Sequence, residues 1–304
     1  MKQTSAPQLT PLSTAMLLAL AMVWGGSFFF AEIALQEVGP LTITLFRVGM
    51  AVPVLALVVW GMRLSVPRAP GVWAAYLVMG ALNNAIPFSL INWAQSQIES
   101  GIASILNGST AVIAAVVAGL LLKDEPLTAN KIAGALFGLA GVALIMGFDL
   151  LTGLDPRDLA QLAVLGAALS YSLASVWAKI RLSGIAPQMN ALGMLTGAFV
   201  LMLPVALWFD GVPSFSYSAP VWGALVGSAL LSSVLAYLLY FAILARAGAA
   251  NLMLVTLMIP PFAVGLGALF LDERLSVNAL AGFGLIAIGL LIADGRILAR
   301  RRRG

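Results

Sequence analysis

The chain has neither cysteine nor histidine in its 304 residues. Without thiols there is no disulfide, no thiolate nucleophile and no thiol redox pair. Without imidazole there is no side chain that ordinarily titrates near neutrality, and no ordinary zinc site. Metalloprotease and Ser-His hydrolase chemistry are therefore excluded, and only an all-carboxylate metal site stays formally open. Charge is scarce as well: 9% of residues are charged, where a soluble domain carries roughly 25%.

What is abundant is apolar sequence, 61% of the chain, arranged in uncharged runs of about 20 residues, enough helix to cross roughly 30 Å of hydrocarbon. Charges, Pro/Gly clusters and polar turns divide these runs into ten predicted spans, at residues 13–33, 40–60, 72–93, 98–122, 129–148, 159–180, 188–208, 219–244, 249–271 and 277–296. The first run continues through GGSFFFA with no Ala-x-Ala cleavage signal, so it is expected to be an uncleaved membrane helix. The fold class expected is an all-α integral membrane protein. Short connections make sequential helices antiparallel.

Thirteen of the 16 Lys and Arg residues fall on the side of the N-terminus: Lys2, Arg63, Arg68, Lys123, Lys131, Lys179, Arg181, Arg246, Arg296 and Arg300 to Arg303. Arg157 and Arg274 lie in loops of the opposite side, and Arg47 falls within the second span. The positive-inside rule then places both termini in the cytoplasm.

The stretch KDEPLTANKIAG at residues 123–134 returns as LDERLSVNALAG at residues 271–282, a shift of 148. At that shift Trp93-Ala94 matches Phe241-Ala242 and Gly141 matches Gly289, and at a shift of 147 WGGSFFFAEI in the first span faces YSLASVWAKI in the sixth. The expected organisation is two five-helix repeats, residues 1–150 and residues 151–304, the second ending in a basic tail. Five is odd, so the second repeat enters the membrane in the opposite sense, a construction recurrent in alternating-access transporters. The paired acids thus read as topological marks at water-facing turns, with Thr128 and Ser276 capping the helices that follow.

With Trp24-Gly25-Gly26-Ser27 in the first span, Asp124-Glu125 and Asp272-Glu273 in the turns, and Gly-rich helices after them, the chain resembles the drug/metabolite transporter superfamily in its ten-helix EamA-type permeases. Within that family it looks most like bacterial exporters of aromatic amino acids. The resemblance implies a small-molecule substrate, a lipid environment, no cofactor and no catalytic or metal residues.

Candidate substrate-binding residues are polar or aromatic groups deep in the spans. Asn83, Asn84 and Pro87 sit together in the third span, where Pro87 leaves the Asn83 carbonyl without its helical donor. Asn107 and Thr110 lie in the fourth span, Tyr171 in the sixth, Tyr237 and Tyr240 in the eighth, Trp24 and Phe28 in the first. Tyrosine and tryptophan join an apolar face to a donor, which suits a ring-bearing solute. Helix-helix packing is the alternative for each, and Trp60, Trp73 and Trp208 are expected as interfacial anchors. Pro260-Pro261 predicts a break in the ninth span that has no counterpart at Pro87, since Pro87 maps to Leu235.

Arg47 is expected to snorkel or to pair within the protein, with a substrate carboxylate as the other possibility. Glu32 and Lys179, matched in the repeat, are expected as boundary charges. The GxxxG of Gly134 and Gly138 is expected to pack the two halves together rather than to form a dimer, and the chain is expected to be a monomer. The basic tail calls for anionic lipid, not nucleic acid. With no titratable group evident near a span centre, facilitated or exchange transport is expected. The alternatives are efflux of cationic drugs, which should place an acid deep in a helix, and more remotely a membrane enzyme or lipid-handling protein.

Overall fold

The computed structural model describes residues 10–147 and 155–294. The expected boundary at residue 150, Lys2, Arg296 and the Arg300 to Arg303 run lie outside them. Among the described residues every regular element is helical. Ten helices carry the fold: α1 Pro11–Ala34, α2 Pro40–Gly61, α3 Pro70–Gln95, α4 Ser100–Leu121, α5 Ala129–Met146, α6 Pro156–Arg181, α7 Pro187–Phe209, α8 Ala219–Gly248, α9 Val255–Phe270 and α10 Val277–Asp294. The first eight are long and apolar enough to cross a membrane, and α9 and α10 are shorter. The chain is an all-α, multi-pass membrane protein of two inverted repeats.

Helix starts follow local chemistry. Proline occupies the first turn of α1, α2, α3, α6, α7 and α8, where its missing N–H has no intrahelical partner to lose. Thr10, Thr128 and Ser276 cap α1, α5 and α10 through their hydroxyls. Asp155 and Asp158 form a reciprocal capping box on α6, satisfying two helix-terminal donors at once.

The packing obeys the repeat. A Cβ on Gly134 of α5 would stand 2.5 Å from the Gly289 carbonyl oxygen of α10, and one on Gly141 would stand 2.6 Å from that of Gly282. The 148-residue shift carries Gly134 to Gly282 and Gly141 to Gly289, so each contact is the image of the other about a two-fold axis between α5 and α10. The small residues of the GxxxG segment pack the halves against each other, as expected, by letting backbones meet. Trp60 and Trp208 are 79% and 84% exposed, each near the end of its helix.

A symmetric pair of helix breaks is also present, the first directly before Pro87 as expected, the second in α8 and not at the prolines of α9. α3 has a π turn at Ala81–Ala85 in which the Ile86 N–H reaches back five residues to the Ala81 carbonyl. α8 has its own at Leu230–Leu235, with the Ala236 N–H reaching the Leu231 carbonyl. The 148-residue shift places the first within two residues of the second. No proline marks the α8 turn. By contrast α9 runs unbroken through Pro260 and Pro261, because the helix is held by close contact with α1: a Cβ on Gly25 would stand 2.9 Å from the Ile259 carbonyl oxygen.

Candidate functional site

A π turn slips the hydrogen-bond ladder by one residue and leaves a carbonyl outside it. In α3 the Leu82 carbonyl takes the Ser170 hydroxyl of α6 at 2.7 Å. In α8 the Ser232 carbonyl takes Nη2 of Arg47 at 3.2 Å, while Arg47 Nε donates to Ser233 Oγ at 3.1 Å. Beside them Asn83 Nδ2 donates to Tyr237 Oη at 3.1 Å, and Tyr237 Oη donates to Asn84 Oδ1 at 3.0 Å. The two interrupted helices thus tie the halves together midway along α3 and α8.

These groups border a cavity of about 460 Å³, within the ~300–1,000 Å³ typical of small-molecule sites. Eight of the ten predicted residues line it: Trp24, Phe28, Asn83, Asn107, Thr110, Tyr171, Tyr237 and Tyr240. Asn84 and Pro87 are buried behind it in α3. Trp24 and Tyr240 meet with ring centroids 5.9 Å apart and form part of an aromatic wall. Phe88, Ile91, Asn92 and Gln95 also face it, recurring at the spacing of one helical face. The stripe begins at Phe88, five residues after Asn83 and not four, because the π turn at Ala81–Ala85 shifts the face by one residue.

Arg47 lines the cavity too, and this corrects the expectation of snorkelling. Its side chain is 9% exposed, turned into the protein and stacked with its guanidinium carbon 3.8 Å from the Phe88 ring centroid. An arginine at such depth costs about 2.5–3.5 kcal/mol on insertion scales, so its contacts to α8 are structural pairing of real weight.

The cavity has one blind end. At the face away from the start of α1 its lining residues Gln95 and Ser104 are 3% and 0% exposed, whereas toward the face where α1 begins Ser175 is exposed and Met253 is 40% exposed. Four contacts between the halves stitch the blind face. The Glu273 carboxylate accepts from Ser100 N at 2.8 Å, Gly101 N at 3.1 Å and Ser100 Oγ at 2.9 Å, capping α4 where a helix dipole favours an anion. Arg157 pairs with Glu99 at 3.0 Å, Asp210 accepts from Thr42 N at 2.8 Å, and Glu37 accepts from Ser218 N at 2.8 Å. Hydrogen bonds from Ser218 hold the Glu37 carboxyl below its usual range.

The matched charges are more than boundary marks. Glu32 accepts from Gln95 Nε2 at 3.2 Å, and the same amide donates to the Phe28 carbonyl at 2.9 Å. Lys179 pairs with Asp124 at 2.6 Å and with Glu125 at 2.7 Å, so the first acidic turn is bound across the halves at the open face. The Lys179 ammonium holds the Asp124 carboxyl below its usual range. The acidic turns, read from sequence as topological, are therefore contacts between repeats.

Ten helices in inverted repeats, with interrupted helices meeting at a cavity blind on one face, define the class: a membrane transporter. The chain belongs to the EamA-like transporter family, which matches it twice, over residues 12–147 and 158–293. It is 24% identical over 277 residues to "Uncharacterized transporter YoaV" of Bacillus subtilis, covering 91% of this chain and 94% of that one. It is likewise 24% identical over 289 residues to a "Probable terminal-alkyne amino-acid exporter" of Streptantibioticus cattleyicolor, covering 94% of each. A solved crystal structure superposes with a TM-score of 0.68 at 20% identity, covering 97% of this chain and all of that one.

Proposed function

We propose that the protein exports small metabolites, amino acids and preferentially aromatic ones, across a bacterial inner membrane by alternating access. The observation that carries this is the cavity itself: an aromatic wall facing amides and hydroxyls, blind at one face and reachable from the other. The aromatic surface takes an apolar side chain, and the polar groups meet a carboxylate and an amine. The exporter named among its relatives supports the substrate class. With the termini cytoplasmic, the cavity is open to the cytoplasm and loaded from within.

Symmetry supplies the route to the other state. The shift of 148 carries Glu125 to Glu273 and carries Ser100 and Gly101 to Gly248 and Ala249. In the outward-open state Glu273 releases the start of α4, while Glu125 leaves Lys179 and caps the chain at Gly248 and Ala249. One carboxylate is a cap whenever the other is not. The two turns already differ in backbone: Asp272 has φ of 55°, while Asp124 is not among the described residues with positive φ.

Transport is facilitated or by exchange, since the described residues that line the cavity include no carboxylate; Glu32 stands one residue behind it, bound to Gln95. Efflux of cationic drugs, the rival for an aromatic cavity, lacks the anion it needs there. The test is counterflow in proteoliposomes with labelled phenylalanine, tryptophan and leucine at equal pH and with an imposed pH gradient. Saturable aromatic counterflow that ignores the gradient supports the reading, and a steep dependence on the gradient contradicts it.

A further inference from the structure

Among the described residues, Arg47 is the one charged side chain that lines the cavity, and no ion pair joins it to a carboxylate. Buried charges are ordinarily paired. Its hydrogen bonds engage one edge of the guanidinium fork, Nε to Ser233 Oγ and Nη2 to the Ser232 carbonyl. Nη1 has no partner among the described residues and is not one of the fully enclosed polar atoms. The end-on edge, Nη1 with the second N–H of Nη2, matches the two oxygens of a carboxylate. Packing against Phe88 and α8 pre-orients that edge, so binding spends little on ordering the side chain.

We infer that Arg47 is the anion-binding residue of the cavity, and that the transported solutes are carboxylates, with or without an ammonium group, whose apolar part rests on the wall formed by Trp24, Tyr171 and Tyr240. The resting cavity carries an unneutralised positive charge in a low-dielectric setting. A carboxylate entering it cancels that charge; a lipophilic cation entering it adds a second like charge within a few ångströms. The same residue therefore admits one class and rejects the other. It is also unique to the first repeat, since the 148-residue shift carries Arg47 to Leu195, so the two halves contribute unequally: one holds the anion and the other, through Ser232 and Ser233, holds the arginine.

The inference rests on the transport reading and is tested separately from its amino-acid form. Full-length protein in proteoliposomes is assayed with four labelled probes: phenylalanine, phenylpyruvate, phenylalaninamide and tetraphenylphosphonium. The two carboxylates are expected to be carried about tenfold faster or more than the two cations, the size of one charge-assisted contact. Arg47→Gln is expected to remove the preference, and Arg47→Lys to keep its sign with lower rates. If phenylpyruvate is carried and phenylalanine is not, the arginine site stands and the amino-acid reading falls. If phenylalanine and phenylalaninamide are carried equally by the wild type, the arginine site falls and the amino-acid reading stands. Transport of neither carboxylate overturns the arginine site, and the wild-type comparison decides even where Arg47→Gln does not fold.

Discussion

Residues 123–134 and 271–282 are two copies of one turn, and they do opposite work. Glu273 reaches across to α4 and caps it with three hydrogen bonds at the blind face. Asp124 and Glu125 instead hold Lys179 at the open face, where Lys179 is 41% exposed and the acids are 66% and 43% exposed. The sequence motif is shared, the environment is not, and the difference coincides with which end of the cavity is shut. An inverted repeat predicts such a pair: two chemically similar segments, each able to take the other's contacts when the halves rock.

The comparison is most severely broken at the pivot that both turns feed. α5 and α10 follow the two turns, and Gly141 leaves no room for a side chain against Gly282. Gly141→Leu is expected to destabilise the protein by about 3 kcal/mol or more, since overpacking here meets backbone instead of a flexible side chain. Loss of a monodisperse peak in detergent with a lowered melting temperature is the readout; a wild-type profile would place the pivot elsewhere.

Glu273→Ala comes next, removing an acceptor from two backbone N–H groups, with an expected cost of about 1–3 kcal/mol. Glu125→Ala breaks only an exposed pair, with an expected cost of about 0–1 kcal/mol. Its counterflow rate should nevertheless fall as far as that of Glu273→Ala, because each variant lacks the cap of one state. Equal melting temperatures for the two variants, or normal counterflow in either, would separate the turns from the transport cycle.

The smallest effect is that of pH. The Lys179 ammonium lowers the Asp124 carboxyl below the ordinary value. Its pairing is therefore fully present above that ordinary value, about 3.9, and fades as acid brings the pH down through the lowered folded value. Asp124 is exposed, so the change is slight. The melting temperature of Asp124→Asn should lose less than that of the wild type on acidification below about pH 4, and parallel profiles would remove the pairing as its cause.

Much of this fold was legible in the chain because hydrocarbon imposes simple rules. Apolar length divided by charges, Pro/Gly clusters and polar turns gave ten spans whose ends lie within four residues of the helix ends, except that the ninth helix starts at Val255 where residue 249 was expected. Eight of ten candidate residues share the cavity because deep polar and aromatic groups in a membrane chain have few other places to go. The exceptions have physical reasons. The α8 interruption at Leu230–Leu235 has no proline; its spare carbonyl is stabilised by Arg47, 185 residues away. The cap of Ser100 by Glu273 spans 173 residues, and no local pattern announces a contact of that range. Pro260 and Pro261, loud in the sequence, leave α9 intact because packing against α1 holds it.

Since the chain has no native cysteine, a single introduced thiol reports access without background. Asn107→Cys places one in the cavity wall, at the eighth of the 22 residues of α4. In the wild-type background a membrane-impermeant thiol reagent is expected to label it mainly from the face where α1 begins. In the Glu273→Ala background labelling is expected to shift to the opposite face, and in the Glu125→Ala background to stay with the first. Unchanged sidedness in Glu273→Ala would contradict the exchange of roles between the two acidic turns.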